Sequence, residues 1–224
     1  MDIKVNSSTV WCFDLDDTLY NELDYLRSAY SEISRLLEPE SFLELYVLMI
    51  SMYRNKENVF DYLTENYTIS KEDLLREYRE HMPRITPFNG VVELFEGIRN
   101  RGGKLVCITD GRSVSQRNKL LALGLLDYFE LLVISEEVGS AKPSTLNYML
   151  VEEHFPGMSY TYVADNWKKD FIVPNERDWG SIGLIDNGKN IHSGVFQFMM
   201  LEAHRPKSLI RYIRELNPID YPRP

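Results

Sequence analysis

The sequence predicts an α/β fold in which a parallel sheet carries helices on its faces and an inserted helical subdomain interrupts it near the start. Three observations carry this. Short β-branched and aromatic runs recur at residues 9–14, 104–109, 131–135 and 160–164, each ending in acidic or other oxygen-bearing residues. Helical patterns at residues 90–101, 113–123 and 143–154 alternate with them, as crossover helices between parallel strands do. Residues 20–86 break the alternation, with apolar residues at helical spacing (Leu36, Leu37, Phe42, Leu45, Leu48, Met49) and no comparable strand run.

Taken in chain order, Thr9-Val10-Trp11-Cys12-Phe13 is too uniformly apolar for a half-exposed strand and reads as a buried one that stops at Asp14. The helical insertion follows. Pro83 and Pro87 mark the return to the sheet domain, because proline and the residue before it tend to end helices. The expected organisation is therefore a sheet core of residues 1–19 and 87–224 with a helical subdomain at 20–86. In the core, Pro143 is expected at a first helical position. After Asp170 come a short run at 181–185, a turn at Asn187-Gly188 and an expected helix over 206–216. In open parallel sheets ligands bind beyond the carboxyl ends of the strands, where Asp14, Asp110 and Asp165 fall.

Composition narrows the function classes. At 224 residues and 44% hydrophobic content, one domain with a smaller insertion buries a sufficient core unaided by disulfides. With 25 Lys+Arg against 34 Asp+Glu the net charge is −9 and no basic run stands out, which argues against a nucleic-acid partner. No stretch approaches 18 uninterrupted apolar residues, so no membrane span is expected. Cys12 and Cys107 lie inside apolar runs, and no signal segment opens the chain, which points to a reducing cytoplasm. The four histidines are scattered without ligand spacing, against a zinc site.

Four clusters carry chemistry. In Asp14-Leu15-Asp16-Asp17-Thr18, strand alternation places Asp14 and Asp16 on one side, and two carboxylates in one small space call for a shared proton or a hard cation such as Mg²⁺. Alone, the same residues would serve as an Asx turn or helix cap. Thr109-Asp110-Gly111-Arg112 offers a hydroxyl, a tight turn and a planar cation suited to phosphate. Ala141-Lys142-Pro143-Ser144 places a lysine ahead of a helix N-terminus, an anion-attracting position. Asp165 ends a strand, and Asp170 follows five residues later.

In this order the four clusters resemble the motifs of the haloacid dehalogenase-like hydrolase superfamily, and the likeness runs from Val10 to about Ile185. The resemblance implies a Rossmann-like core, a helical cap of the first type at 20–86, Mg²⁺ dependence and phosphoryl transfer through an aspartyl-phosphate. It implies that Asp14 is the nucleophile, Asp16 the acid/base, and Thr18 a loop support. Thr109 would bind the phosphoryl group with help from Asp110, Gly111 and Arg112, and Lys142 would neutralise charge between nucleophile and phosphate. Asp165 would ligate Mg²⁺ with Asp14 and the main-chain carbonyl of Asp16, while Asp170 completes the metal shell or holds Lys142. Relatives that cleave carbon–halogen bonds lack the second acid, so Asp16 disfavours a dehalogenase. Ala164 departs from the glycine of many relatives. The expected activity is a phosphatase acting on a small phosphorylated metabolite, a sugar phosphate or a nucleoside monophosphate. A sugar-phosphate mutase and a non-catalytic binding protein on the same fold are the alternatives.

Overall fold

The computed structural model describes residues 1–192 and 196–220; residues 193–195 and 221–224 of the expected core lie outside the described residues. Strands β1 (Asp2–Val5) and β2 (Thr9–Phe13) lead into four helices, α1 (Glu22–Leu37), α2 (Phe42–Arg54), α3 (Val59–Asn66) and α4 (Lys71–Glu80). The alternation then begins with α5 (Val91–Asn100), β3 (Lys104–Thr109), α6 (Ser113–Ala122) and β4 (Leu131–Ile134). It continues through α7 (Ser135–Val138), α8 (Thr145–His154), β5 (Ser159–Ala164), α9 (Ile172–Glu176) and β6 (Gly180–Leu184). A short α10 (Phe196–Met199), β7 (Ser208–Ile210) and β8 (Asn217–Asp220) follow.

Six strands form one parallel sheet in the order β4-β3-β2-β5-β6-β7. The chain runs outward from β2 in one direction through β3 and β4 and in the other through β5 to β7, so the end of β2 is the point where strand order reverses and a crevice opens. The apolar runs are continuous because both faces are covered. In β2, Trp11 and Phe13 join one apolar cluster with Leu94, Phe95 and Ile98 of α5, while Val10 and Cys12 join a second with Tyr148 and Val151 of α8. Ala164 is buried in the second cluster, where its methyl group is accommodated. Both cysteines are free thiols.

Helices α1 to α4 have their own apolar cluster, built on Leu26, Tyr30, Ile33, Leu45, Met49, Leu63 and Leu74. Among the described residues no helix is long and apolar enough to cross a membrane.

Two sequence expectations fail. No long helix forms over 206–216: Ser208–Ile210 pairs in parallel with β6, Ile213–Glu215 is a single 3₁₀ turn, and Asn217–Asp220 pairs with β1. The buried Ile210, Ile213 and Leu216 have helix-like spacing, but the unfilled edge of β6 recruits the segment. Pro143 is not a first helical position either, because α8 starts at Thr145 with Ser144 as its N-cap, accepting from the Leu146 N–H.

Candidate active site

The sheet brings three of the four clusters to one edge by register. Phe13 lies opposite Cys107 of β3 and Val163 of β5, so Asp14, Thr109 and Asp165 emerge from adjacent strands. The Asp14 amide donates to the Val163 carbonyl at 3.0 Å, carrying the ladder past the strand end. The remaining cluster, the third in sequence, arrives through the loop after α7, which delivers Lys142 with its ammonium fully buried.

That ammonium donates to Asp14 Oδ1 at 2.6 Å and to the Tyr162 hydroxyl at 2.9 Å, and pairs with Asp170 Oδ1 at 2.8 Å. Asp170 is fixed in turn by the Asn166 amide, which donates to Oδ2 at 3.0 Å. Asp165 accepts from the Thr18 hydroxyl at 3.3 Å and from Asn190 Nδ2 at 2.8 Å. Carboxylate oxygens of Asp14, Asp165 and Asp170 all lie within 4.8 Å of one another.

Three buried carboxylates gather at the Lys142 ammonium with Lys169 farther off, so negative charge is in excess. Burial pushes Asp14 up to about 7, against the pull of Lys142 and with the help of Asp170. Burial, with Asp14 and Asp170 beside it, raises Asp165 well above the usual carboxylate range. Burial disfavours the Lys142 ammonium, yet Asp14, Asp170 and Asp110 outweigh it and hold the lysine charged. A hard divalent cation with oxygen preference would relieve the surplus, so this donor set fits a metal site.

The Asp16 carboxylate lies outside the three-acid cluster, unlike the small shared space expected from its spacing with Asp14. Lys119 Nζ contacts both oxygens, at 2.7 and 2.9 Å, Gln116 Nε2 donates to Oδ2 at 3.0 Å, and the Tyr20 hydroxyl donates to Oδ1. Burial would raise this carboxyl, but Lys119 and the other donors prevail and lower it. The crowding of Asp14 and Asp16 is thus resolved by two separate lysines. Lys119 and Gln116 were missed because each alone reads as an ordinary helical residue; their signal is the three-residue spacing that puts both on the inward face of α6. Tyr162 and Asn190 carried no signal, one within an apolar strand and the other in a polar loop.

The second cluster divides. Thr109 is buried, and its hydroxyl accepts from Gln116 Nε2 at 2.5 Å. Asp110 is a structural anchor: its carboxylate accepts from the Lys142 amide at 3.0 Å and from Lys169 Nζ at 2.6 Å. The Gly111 amide, expected to face phosphate, donates to Ser135 Oγ at 2.8 Å. Arg112 is turned to the surface, where it pairs with Glu136 at 2.5 Å.

The loop into α1 is pinned by Asp17, whose left-handed backbone (φ 57°) aims its carboxylate at the amides of Glu22 and Ile191, both at 2.8 Å. Burial, with Asp16 nearby, pushes Glu22 up to about 8.

Comparison with known proteins agrees with this geometry. The haloacid dehalogenase-like hydrolase family model matches residues 11–173. A glyceraldehyde 3-phosphate phosphatase of Methanopyrus kandleri is 26% identical, over 91% of this chain and 96% of that protein. The pyrimidine 5'-nucleotidase YjjG of Escherichia coli is 30% identical, over 71% of this chain and 78% of its own. The crystal structure of a HAD phosphatase from Thermococcus onnurineus superposes with a TM-score of 0.59 at 20% identity, covering 95% of each chain, a likeness of fold.

Proposed function

Because the chain belongs to the haloacid dehalogenase-like hydrolase family, we propose that it is a Mg²⁺-dependent phosphatase of a small phosphomonoester, working through an aspartyl-phosphate on Asp14. The observation that carries this reading is the pair of differently held carboxylates: Asp14 bound to Lys142 at 2.6 Å inside the acid cluster, and Asp16, two residues on, bound to Lys119 at 2.7 Å. Two carboxyl groups in unlike environments suit one nucleophile and one proton carrier.

In the first displacement an Asp14 oxygen bonds to phosphorus as the ester oxygen leaves, taking a proton from Asp16. In the second, water attacks the same phosphorus, Asp16 accepts the proton that water loses, and the Asp14–phosphorus bond breaks. Lys142 neutralises charge shared by Asp14 and the phosphoryl oxygens, and the Thr109 hydroxyl holds one of them. Asp14, Asp165 and the main-chain carbonyl of Asp16 would hold Mg²⁺, with Asp170 keeping Lys142 in place. Bound there, Mg²⁺ supplies charge neutralisation to the transferring phosphoryl group. Asp110 and Gly111 shape the loop that presents Thr109, and Thr18 orients Asp165.

Residues 20–86 act as a helical cap of the first type over this edge, supported by their separate apolar cluster. The relatives' names, a triose-phosphate phosphatase and a nucleotidase, support a sugar phosphate or nucleoside monophosphate as substrate. Two free buried thiols suit a reducing cytoplasm.

The test is phosphate release from triose phosphates, pentose and hexose phosphates, nucleoside monophosphates and p-nitrophenyl phosphate, with Mg²⁺ or EDTA. Metal-dependent release that disappears in Asp14→Asn is expected. Release that survives EDTA or the substitution contradicts the reading.

A further inference from the structure

Lys119 is a buried cation with no part in the family resemblance or in the mechanism above. Its side chain is 5% exposed, and its ammonium spans both oxygens of Asp16 while sitting 4.4 Å over the ring of Tyr25 in α1. The helix that carries it is tied to the end of α4: Ser115 Oγ donates to the Arg79 carbonyl at 2.8 Å and Asn118 Nδ2 to the Glu80 carbonyl at 2.9 Å. One turn earlier, Gln116 Nε2 bridges Asp16 Oδ2 and Thr109 Oγ1. A buried ammonium needs compensation, and here it comes by direct contact from Asp16 and, at longer range, from Glu22.

We propose that Lys119 is a positioning residue for Asp16, an inference that rests on Asp16 being the acid/base. A carboxyl group is free to turn about its last torsion unless both ends are held. Lys119 spans both oxygens of Asp16 and, with Gln116 and Tyr20, fixes the plane of the carboxyl group that gives a proton to the ester oxygen in the first displacement and takes one from water in the second. The lysine keeps its own protons throughout. Because Lys119 also packs on Tyr25, the aim of Asp16 is set jointly by the core and by α1.

A lysine that acts through the acid leaves a signature that a merely structural one does not. Protonation of the leaving oxygen matters for an alkyl phosphate and little for p-nitrophenyl phosphate, whose leaving group departs unaided. With Mg²⁺ saturating, kcat/KM is measured on glycerol phosphate and on p-nitrophenyl phosphate for wild type, K119M, K119R, D16N and D16N/K119M. The expected result is a loss in K119M larger by about tenfold or more on the alkyl ester, since general acid catalysis is worth about 10²–10⁴ in rate. K119R, which keeps a cation against Asp16, recovers most of that excess, and the double variant is no slower than D16N on the alkyl ester. Should K119M fail to fold, K119Q is read for the same ratio. Equal losses on both esters in the lysine variants, with unequal losses in D16N, overturn the proposal and leave the acid/base reading standing. Equal losses in D16N itself overturn the acid/base reading first and the proposal with it.

Discussion

Replacing Lys142 by methionine keeps the shape of the side chain and removes the cation in direct contact with the acid cluster, leaving Lys169 as a more distant one. The ammonium is fully buried, at 2.6 Å from Asp14 and 2.8 Å from Asp170, and Asp165 belongs to the same cluster. Breaking a buried ion pair by removing one partner costs about 3–5 kcal/mol, because the remaining charge is stranded. For a chain of 224 residues, where 1 kcal/mol moves Tm by about 2–4 °C, the metal-free variant should melt about 6–20 °C below wild type. The deficit should also grow with pH. Burial already raises Asp14 from 3.8 to about 7 with Lys142 opposing it, so loss of the lysine raises it further. An acid whose folded value is raised stabilises the fold while protonated, and that contribution disappears as pH climbs from the unfolded value through the folded one. Thermal melts by circular dichroism in EDTA, at about pH 5 and about pH 8, read both effects. A fall of less than about 2 °C, or an equal fall at both pH values, would refute the electrostatic account of the cluster.

Other consequences follow from the same contacts. In wild type without metal, stability should decline between about pH 4 and about pH 7 as the raised Asp14 ionises, and added Mg²⁺ should raise Tm more at the upper end; a Mg²⁺ effect independent of pH contradicts it. Asp14→Asn should abolish turnover yet melt no lower than wild type above neutral pH in EDTA, because it removes a costly buried charge. Asp17→Asn keeps a residue that tolerates φ 57° but sets an NH₂ group against one of two amide donors. It should cost about 1–3 kcal/mol in urea denaturation. Tyr162→Phe removes one of the oxygens around Lys142 and should cost about 1 kcal/mol while slowing turnover less than Asp14→Asn does.

What the sequence made legible follows the physics of each element. The apolar runs and their acidic ends located β2, β3 and β5, because a strand covered on both faces has no alternative reading and its terminal acid has nowhere to go but the sheet edge. The joint burial of Asp14, Thr109, Lys142, Asp165 and Asp170 is the three-dimensional sense of four clusters whose linear order was visible. The partners of Asp16 were not visible, since a lysine and a glutamine on a helix face look alike whether they meet water or a carboxylate. Arg112 failed for the complementary reason: its charge suited phosphate, but on the surface it is taken up by Glu136. The segment after residue 206 was misjudged because an empty strand edge, a tertiary fact, outweighed local spacing.

The central claim is that phosphate is transferred to Asp14 before it reaches water. Mixing enzyme, Mg²⁺ and radiolabelled substrate, quenching in acid within one turnover, and mapping the labelled peptide tests this directly. An acid-stable, hydroxylamine-sensitive phosphoryl group is expected on the peptide that contains Asp14, absent in Asp14→Asn and accumulating in Asp16→Asn with the p-nitrophenyl ester. Turnover with no covalent label, or a label on any other peptide, would contradict it.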